Sequence, residues 1–220
     1  AMGRFVTAIC LGSLLVMSAC AGADGLARKT GPEYETETRS WLDSVRLLGG
    51  HGYWLVTRGY HHGDDLVAMA SNKSWSHAAI LDMENLEIIE AIGSGVIKTP
   101  LFKFLREAHR LRVIRPTGWS PEKGQQAVAN ARSKLGAGYD FLGVVGVPSE
   151  KRFYCSELAA WSMGVQVDQK GAQHVLHPAN LHQLGEVLWE TAGRDGQPDR
   201  PDAALVARAA TLRAPAAISP

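Results

Sequence analysis

The 220-residue sequence predicts an α+β domain in which a small antiparallel sheet packs against a helix that opens at Cys155. Three observations predict it. Leu158, Trp161 and Val165 recur at helical spacing behind Cys155. His77–Leu81 and Leu86–Ile92 are short apolar runs joined by the polar link Asp82-Met83-Glu84-Asn85, the pattern of a hairpin. Other short runs, at Tyr53–Thr57, Asp65–Ala70 and Leu111–Arg115, read as further strands between turn residues.

The elements follow in chain order. Thr36–Leu48 reads as a helix, with Trp41, Leu42, Val45 and Leu48 on one side and Gly49-Gly50 as its stop. A strand at Tyr53–Thr57 and the turn His61-His62-Gly63-Asp64 lead into the strand from Asp65. Asn72-Lys73-Ser74 is a loop before the hairpin, and Gly93-Ser94-Gly95 breaks the chain after it. Leu101–His109 reads as a short basic helix. Ser120-Pro121-Glu122 starts a second long helix, with a Ser cap, Pro at the first helical position and an acid in the first turn. It is expected to run to about Leu135. Beyond the Cys155 helix, Pro178–Leu184 reads as a short helix and Val187–Trp189 as a last apolar stretch.

The organisation expected is a leader over residues 1–20, a tether over 21–35, one domain over 36–192 and a disordered tail over 193–220. Arg4 followed by the mostly apolar run Phe5–Met17 has the composition of a secretory leader and is short for a membrane span. Met17-Ser18-Ala19-Cys20 resembles a lipoprotein box, in which Cys20 would carry a lipid and anchor the protein to a membrane. Ala19-Cys20-Ala21 or Ala21-Gly22-Ala23 would instead serve an ordinary signal peptidase. Either way an exported protein of a bacterial envelope is expected, membrane-anchored, periplasmic or secreted. With a net charge of +1, nothing points to a nucleic-acid partner or a polyacidic substrate, and none is expected.

Cysteine usage gives the first hint of chemistry. Of the three cysteines, Cys10 and Cys20 lie in the leader, so the body holds Cys155 alone and can form no internal disulfide. A lone thiol in an oxidising compartment is a liability unless it has work to do. Its place at a helix N-terminus favours the thiolate, which is the nucleophilic form; the plainer role for such a residue is a small buried hydrophobe.

A nucleophilic cysteine needs a base, and the base an orienting group. His77, after Trp75-Ser76 and at the start of an apolar strand, would place its imidazole at a strand edge. If Asp82–Asn85 is the hairpin loop, Leu81 faces Leu86 and His77 faces Glu90, close enough for Glu90 to accept from one ring nitrogen. A one-residue slip would separate them. Asp82 has the wrong parity on its strand, and Asp64 and Asp65 are weaker alternatives. The backbone N–H of Cys155 is the simplest oxyanion donor, with Tyr139, Tyr154 or Lys73 as candidates for a second donor or a substrate contact. Trp75, Tyr60 and Tyr139 are expected to pack in the core rather than line a pocket.

Two histidine clusters, His61-His62-Gly63-Asp64-Asp65 and His174-x-x-His177 with His182, contain metal-ligand types without a diagnostic spacing. A metal-dependent hydrolase is therefore a rival, but no metal and no cofactor is expected. Gly93-Ser94-Gly95 lacks the lysine of a phosphate-binding loop.

The ordered set Gly63-Asp64, Ser76-His77, Glu90-Ala91, Tyr139-Asp140 and Cys155-Ser156-Glu157-Leu158 resembles the NlpC-type, papain-like hydrolases. The histidine motif here precedes the cysteine, and that order resembles the circularly permuted branch, the YiiX/YebB-like proteins and, more distantly, the lecithin:retinol acyltransferase type. The resemblance covers about Gly59 to Leu184. It implies a papain-like fold with Cys155 as nucleophile, His77 as base and Glu90 as the third polar residue. It also implies cleavage of an amide or ester bond in cell-wall peptide or lipid. Amide cleavage through an acyl-thioenzyme is the expectation. A lipid esterase or acyltransferase of the same fold, or a catalytically silent peptide- or lipid-binding envelope protein, is the alternative. Basic wall-binding repeats are not seen in the chain.

Overall fold

A computed structural model describes residues 28, 30–60, 75–147, 149, 151–165 and 175–194. The leader with Cys20, the His61–Asp65 turn, the strand expected at Asp65–Ala70, Lys73, His174 and residues 195–220 lie outside the described residues.

The first helix, α1, spans Pro32–Leu48. Pro32 sits in its first turn, where a missing N–H costs nothing, and Glu33 and Glu35 complement the positive end. The helix therefore claims residues 32–35 of the expected tether. Tyr34, Thr38, Trp41, Val45 and Leu48 form its buried stripe.

Among the described residues six strands form one antiparallel sheet in the order β4-β3-β2-β1-β5-β8. They are β1 Trp54–Gly59, β2 His77–Asp82, β3 Glu87–Ile92, β4 Gly95–Pro100, β5 Ala108–Pro116 and β8 Gly185–Glu190. Between β4 and β5 lies the short helix α2, Leu101–Arg106. It ends before His109, which the strand β5 takes; the expected helix was too long because the alternation from Ala108 overrides it. Strand β4 was not expected. Its run Val96–Thr99 is β-branched apart from Lys98, but the Gly-Ser-Gly turn before it masked the tight hairpin that Gly95, at φ 113°, makes possible.

Helix α3 spans Pro121–Arg132, with the Ser120 hydroxyl accepting from the Lys123 N–H at 3.3 Å. Residues 133–136 form turns rather than a continuation, because the chain must return to the sheet, where the Gly136 N–H meets the Val96 carbonyl at 2.9 Å. Strands β6 (Gly138–Tyr139) and β7 (Arg152–Phe153) form a small parallel pair. Helix α4 is Cys155–Ser162, and Pro178–Leu184 is a 3₁₀ helix.

The sheet is covered on both faces, which explains its nearly continuous apolar strands. One face carries Trp54, Val56, Ala78, Ile80 and Ile89 against Leu158 and Ala159 of α4 and Val128 and Ala131 of α3. The other carries Leu55, Ala79, Leu81 and Ile88 against Trp41 and Val45 of α1 and Leu101 and Leu105 of α2. The fold is thus α+β, and the sheet does pack on the cysteine helix.

Arg194, expected to lie in a tail over 193–220, is packed into the domain. Arg194 is 4% exposed, its guanidinium lying 4.0 Å from the centroid of Tyr34 and 4.1 Å from that of Trp41. It donates to Glu37, Thr38 and the carbonyls of Leu105 and Ala108. A polar, Ala- and Arg-rich composition hid one buried residue that ties this segment to α1.

Candidate active site

Helix α4 starts on the thiol because the residues around it are each tied down. Tyr154 is extended and precedes the helix, and its N–H donates to the Glu157 carboxylate at 3.2 Å. The Ser156 hydroxyl donates to the Leu176 carbonyl at 2.6 Å, and the Leu176 N–H returns to the Tyr154 phenol oxygen at 3.2 Å. Leu158, Ala159 and Ala160 are buried in the core behind them. Cys155 is a free thiol, 5% exposed, at the first position of the helix. Its N–H has no acceptor within the helix and points at the helix entrance.

His77 opens β2 and reaches the same place from the sheet. Its Nε2 lies 2.6 Å from Oε2 of Glu90 on β3. The Cys155 sulfur is near enough to the ring to raise its pKa, and with Nε2 on Glu90 the nitrogen left for the thiol side is Nδ1. The two residues are not directly opposite. Ala79 pairs with Glu90 and Asp82 with Glu87, so the loop is residues 83–86 rather than Asp82–Asn85. The expected register was off by two residues, and a shift of two keeps both side chains on one face. His77 and Glu90 therefore meet diagonally.

The electrostatics couple the three groups. Burial disfavours the charged imidazole, but the Cys155 sulfur and the Glu90 carboxylate raise its pKa well above the ordinary histidine value. Burial likewise opposes the Glu90 charge, yet its bond to His77, the His77 charge and its bond to Thr99 hold its pKa below the usual carboxylate value. Thr99 of β4 donates to Oε1 of Glu90 at 2.6 Å. Sequence reading missed Thr99 because it missed β4; the β-branched run after Gly95 was the signal.

A groove of about 860 Å³ opens over these groups. Ala91, Ile92, Ile97, Phe104, Phe141 and Val144 give it apolar walls, and Lys103 and Glu107 add charge on one side. Tyr139 lines it, its ring 4.8 Å from that of Phe141. Tyr154 does not line it: the phenol is 2% exposed, accepts from Leu176, and has its pKa raised by burial. Its part in the site is to hold the start of α4.

The remaining candidates lie elsewhere. Asp82 is buried, and Arg132 and Asn85 lower its pKa against the effect of burial; Arg132 Nε donates to it at 3.0 Å. Trp75 is buried, with the guanidiniums of Arg112 and Arg110 4.4 Å and 5.1 Å from its ring centroid, and Tyr60 packs edge-on against His109. His182 Nδ1 donates to the Ala179 carbonyl at 2.6 Å. No group of three or more His, Cys, Asp or Glu suited to a metal ion occurs among the described residues.

A sequence model of the permuted papain-like amidase family Peptidase_C92 (YaeF/YiiX) matches residues 60–197. No curated protein matches the chain. A crystal structure described as the metalloprotein YiiX from Escherichia coli O157:H7 is similar at 26% identity, covering 55% of this chain and 69% of its own, with a TM-score of 0.46.

Proposed function

Because the chain belongs to the permuted papain-like amidase family, a family of cysteine amidases and peptidases, we propose that it cleaves an amide bond of the bacterial envelope through an acyl-thioenzyme at Cys155. The observation that carries this reading is that Cys155 and His77 line one groove, with His77 bonded to Glu90 and Glu90 to Thr99, each at 2.6 Å.

The steps follow from that arrangement. The Cys155 sulfur attacks the carbonyl carbon as its proton passes to His77 Nδ1. Negative charge collects on the carbonyl oxygen, near the Cys155 N–H at the positive end of α4. The C–N bond breaks, His77 gives its proton to the departing amine, and a thioester remains. A water then attacks the thioester while His77 takes a proton from it, and the acid leaves as the sulfur is released. Glu90 stabilises the imidazolium at each stage, and Thr99 keeps the second carboxylate oxygen away from solvent.

The apolar walls of the groove suit an acyl part rich in methylene groups, so an N-acyl amine fits better than a polar wall peptide. An ester of the same acyl group would pass through the same thioester, and an amine or alcohol in place of water would make the reaction a transfer. An envelope location is supported by the apolar run Phe5–Met17, and lipid attachment by Met17-Ser18-Ala19-Cys20.

Peptide-resolved mass spectrometry after brief iodoacetamide treatment at mildly acid pH tests the site. Rapid labelling of Cys155 that is lost in His77→Ala is the expected result. Slow labelling indifferent to His77 would overturn the reading.

A further inference from the structure

The loop between β6 and β7 carries seven residues without a charge, Phe141-Leu142-Gly143-Val144-Val145-Gly146-Val147. Val144 lines the groove, and Phe141 both lines it and reaches outward. Phe141, Leu142, Val145 and Val147 are 61%, 59%, 57% and 58% exposed, among the most exposed large apolar side chains of the described residues. Single exposed apolar residues are ordinary, but four on one short loop form a patch that needs a reason.

Their exposure is built. The buried Asp140 carboxylate accepts from the N–H of Gly143 at 2.9 Å and of Ser149 at 2.8 Å, drawing both ends of the loop together. A side chain at 143 would strike Asp140, its Cβ falling 2.5 Å from Oδ2, so glycine is required there. The 3₁₀ turn Gly143–Val145 ends on Gly146 at φ 86°. With the polar backbone satisfied inward, the apolar side chains are turned outward.

The surround is cationic. Lys151 and Arg152 are exposed beside the loop, and Arg152 lies across from Gly138 in the β6–β7 pair. Lys134 is close by, over the rings of Trp161 and Phe153. Among the described residues of 134–152 the one acid is the buried Asp140; Glu150 is outside the described residues. Apolar side chains at the tip with lysine and arginine at the base match the layering of an anionic bilayer surface, acyl region below and phosphates above.

We propose that this loop seats the enzyme on an anionic membrane surface, with Phe141, Leu142, Val145 and Val147 entering the acyl boundary and Lys134, Lys151 and Arg152 meeting lipid phosphates. Phe141 belongs to both the patch and the groove wall, so the mouth of the groove opens at the lipid surface. The surface is independent of which bond Cys155 cleaves.

The test uses the full chain with Cys10, Cys20 and Cys155 each replaced by serine and a single label site introduced as Val145→Cys, carrying an environment-sensitive fluorophore. A matched label at Glu84→Cys, on the exposed β2–β3 turn, reports any binding through other segments. Vesicles of mixed phosphatidylglycerol and phosphatidylcholine are expected to blue-shift the label at 145 and not at 84, and brominated acyl chains to quench it. Lys151→Ala with Arg152→Ala is expected to weaken that response about 30-fold in lipid concentration. An unchanged label at 145, equal responses at 145 and 84, or an equal response to phosphatidylcholine alone would overturn the proposal. So would a shift that depends on protein concentration without lipid, which would make a second copy the occupant. Iodoacetamide labelling of Cys155 in the unsubstituted chain reads the active site separately, so either idea can fail alone.

Discussion

The Thr99 hydroxyl donates to Oε1 of Glu90 at 2.6 Å, on the carboxylate oxygen that the His77 ring does not touch. Both residues are largely buried, so this bond fixes the rotation of the carboxylate with little help from water. Thr99→Val keeps the shape and removes the donor. It is expected to cost about 1–3 kcal/mol in a urea titration and to slow alkylation of Cys155, with Thr99→Ser restoring both. Unchanged alkylation would show that Glu90 does not depend on Thr99.

The His77–Glu90 pair makes stability depend on pH from both sides. The raised His77 pKa contributes stability that is complete below the ordinary histidine value, about 6.5, and is lost as pH rises through the raised value. The lowered Glu90 pKa contributes stability that is complete above its ordinary value, about 4.3, and is lost as pH falls through the lowered one. The melting-temperature gap between the protein and His77→Ala is therefore expected to be widest between these ordinary values and to narrow in alkali. An NMR titration of the His77 ring should give a midpoint above the ordinary value, falling in Glu90→Gln. A midpoint that does not move would remove Glu90 from the pair.

Arg194 is expected to matter far more than its place near the chain's polar end suggests. Arg194→Met leaves Glu37 and the carbonyls of Leu105 and Ala108 without their donor. Breaking a buried ionic contact of this kind costs about 3–5 kcal/mol. Chemical denaturation of the variant checks it, and a loss below 1 kcal/mol, on the order of a surface pair, would contradict the packing described.

Gly124 reverses the usual rule for helices. Glycine inside α3 should be improved by alanine by about 1 kcal/mol from propensity alone. A Cβ at 124, however, would fall 2.2 Å from the His51 carbonyl oxygen, which also accepts from the Trp119 indole at 2.9 Å. Gly124→Ala is expected to destabilise by about 1–3 kcal/mol through overpacking, read as a lowered melting temperature.

Much of the candidate site's geometry was legible because it rests on short-range rules. The helix start at Cys155 and the parity of His77 and Glu90 depend on neighbours a few residues apart, and parity survived a register that was wrong by two. What escaped was set by distant partners. Thr99 needed β4, whose hairpin turn of Gly93, Ser94 and Gly95 reads equally well as a loop. Tyr154 carries a phenol that either a groove or a core can use, and only the segment at Leu176, far along the chain, decides for the core. Arg194 is buried by two rings of α1 at the other end of the domain, which no local pattern announces.

The order of the strands has a consequence for when the enzyme becomes reactive. His77, Glu90 and Thr99 sit on the successive strands β2, β3 and β4, joined by tight turns. Cys155 arrives later in the chain, and its helix is pinned by the still later Leu176. A polypeptide emerging amino end first can build the His77–Glu90–Thr99 arm as a local meander before Cys155 has been made. Synthesis itself thus keeps Cys155 and His77 apart until the carboxyl-terminal third has been delivered.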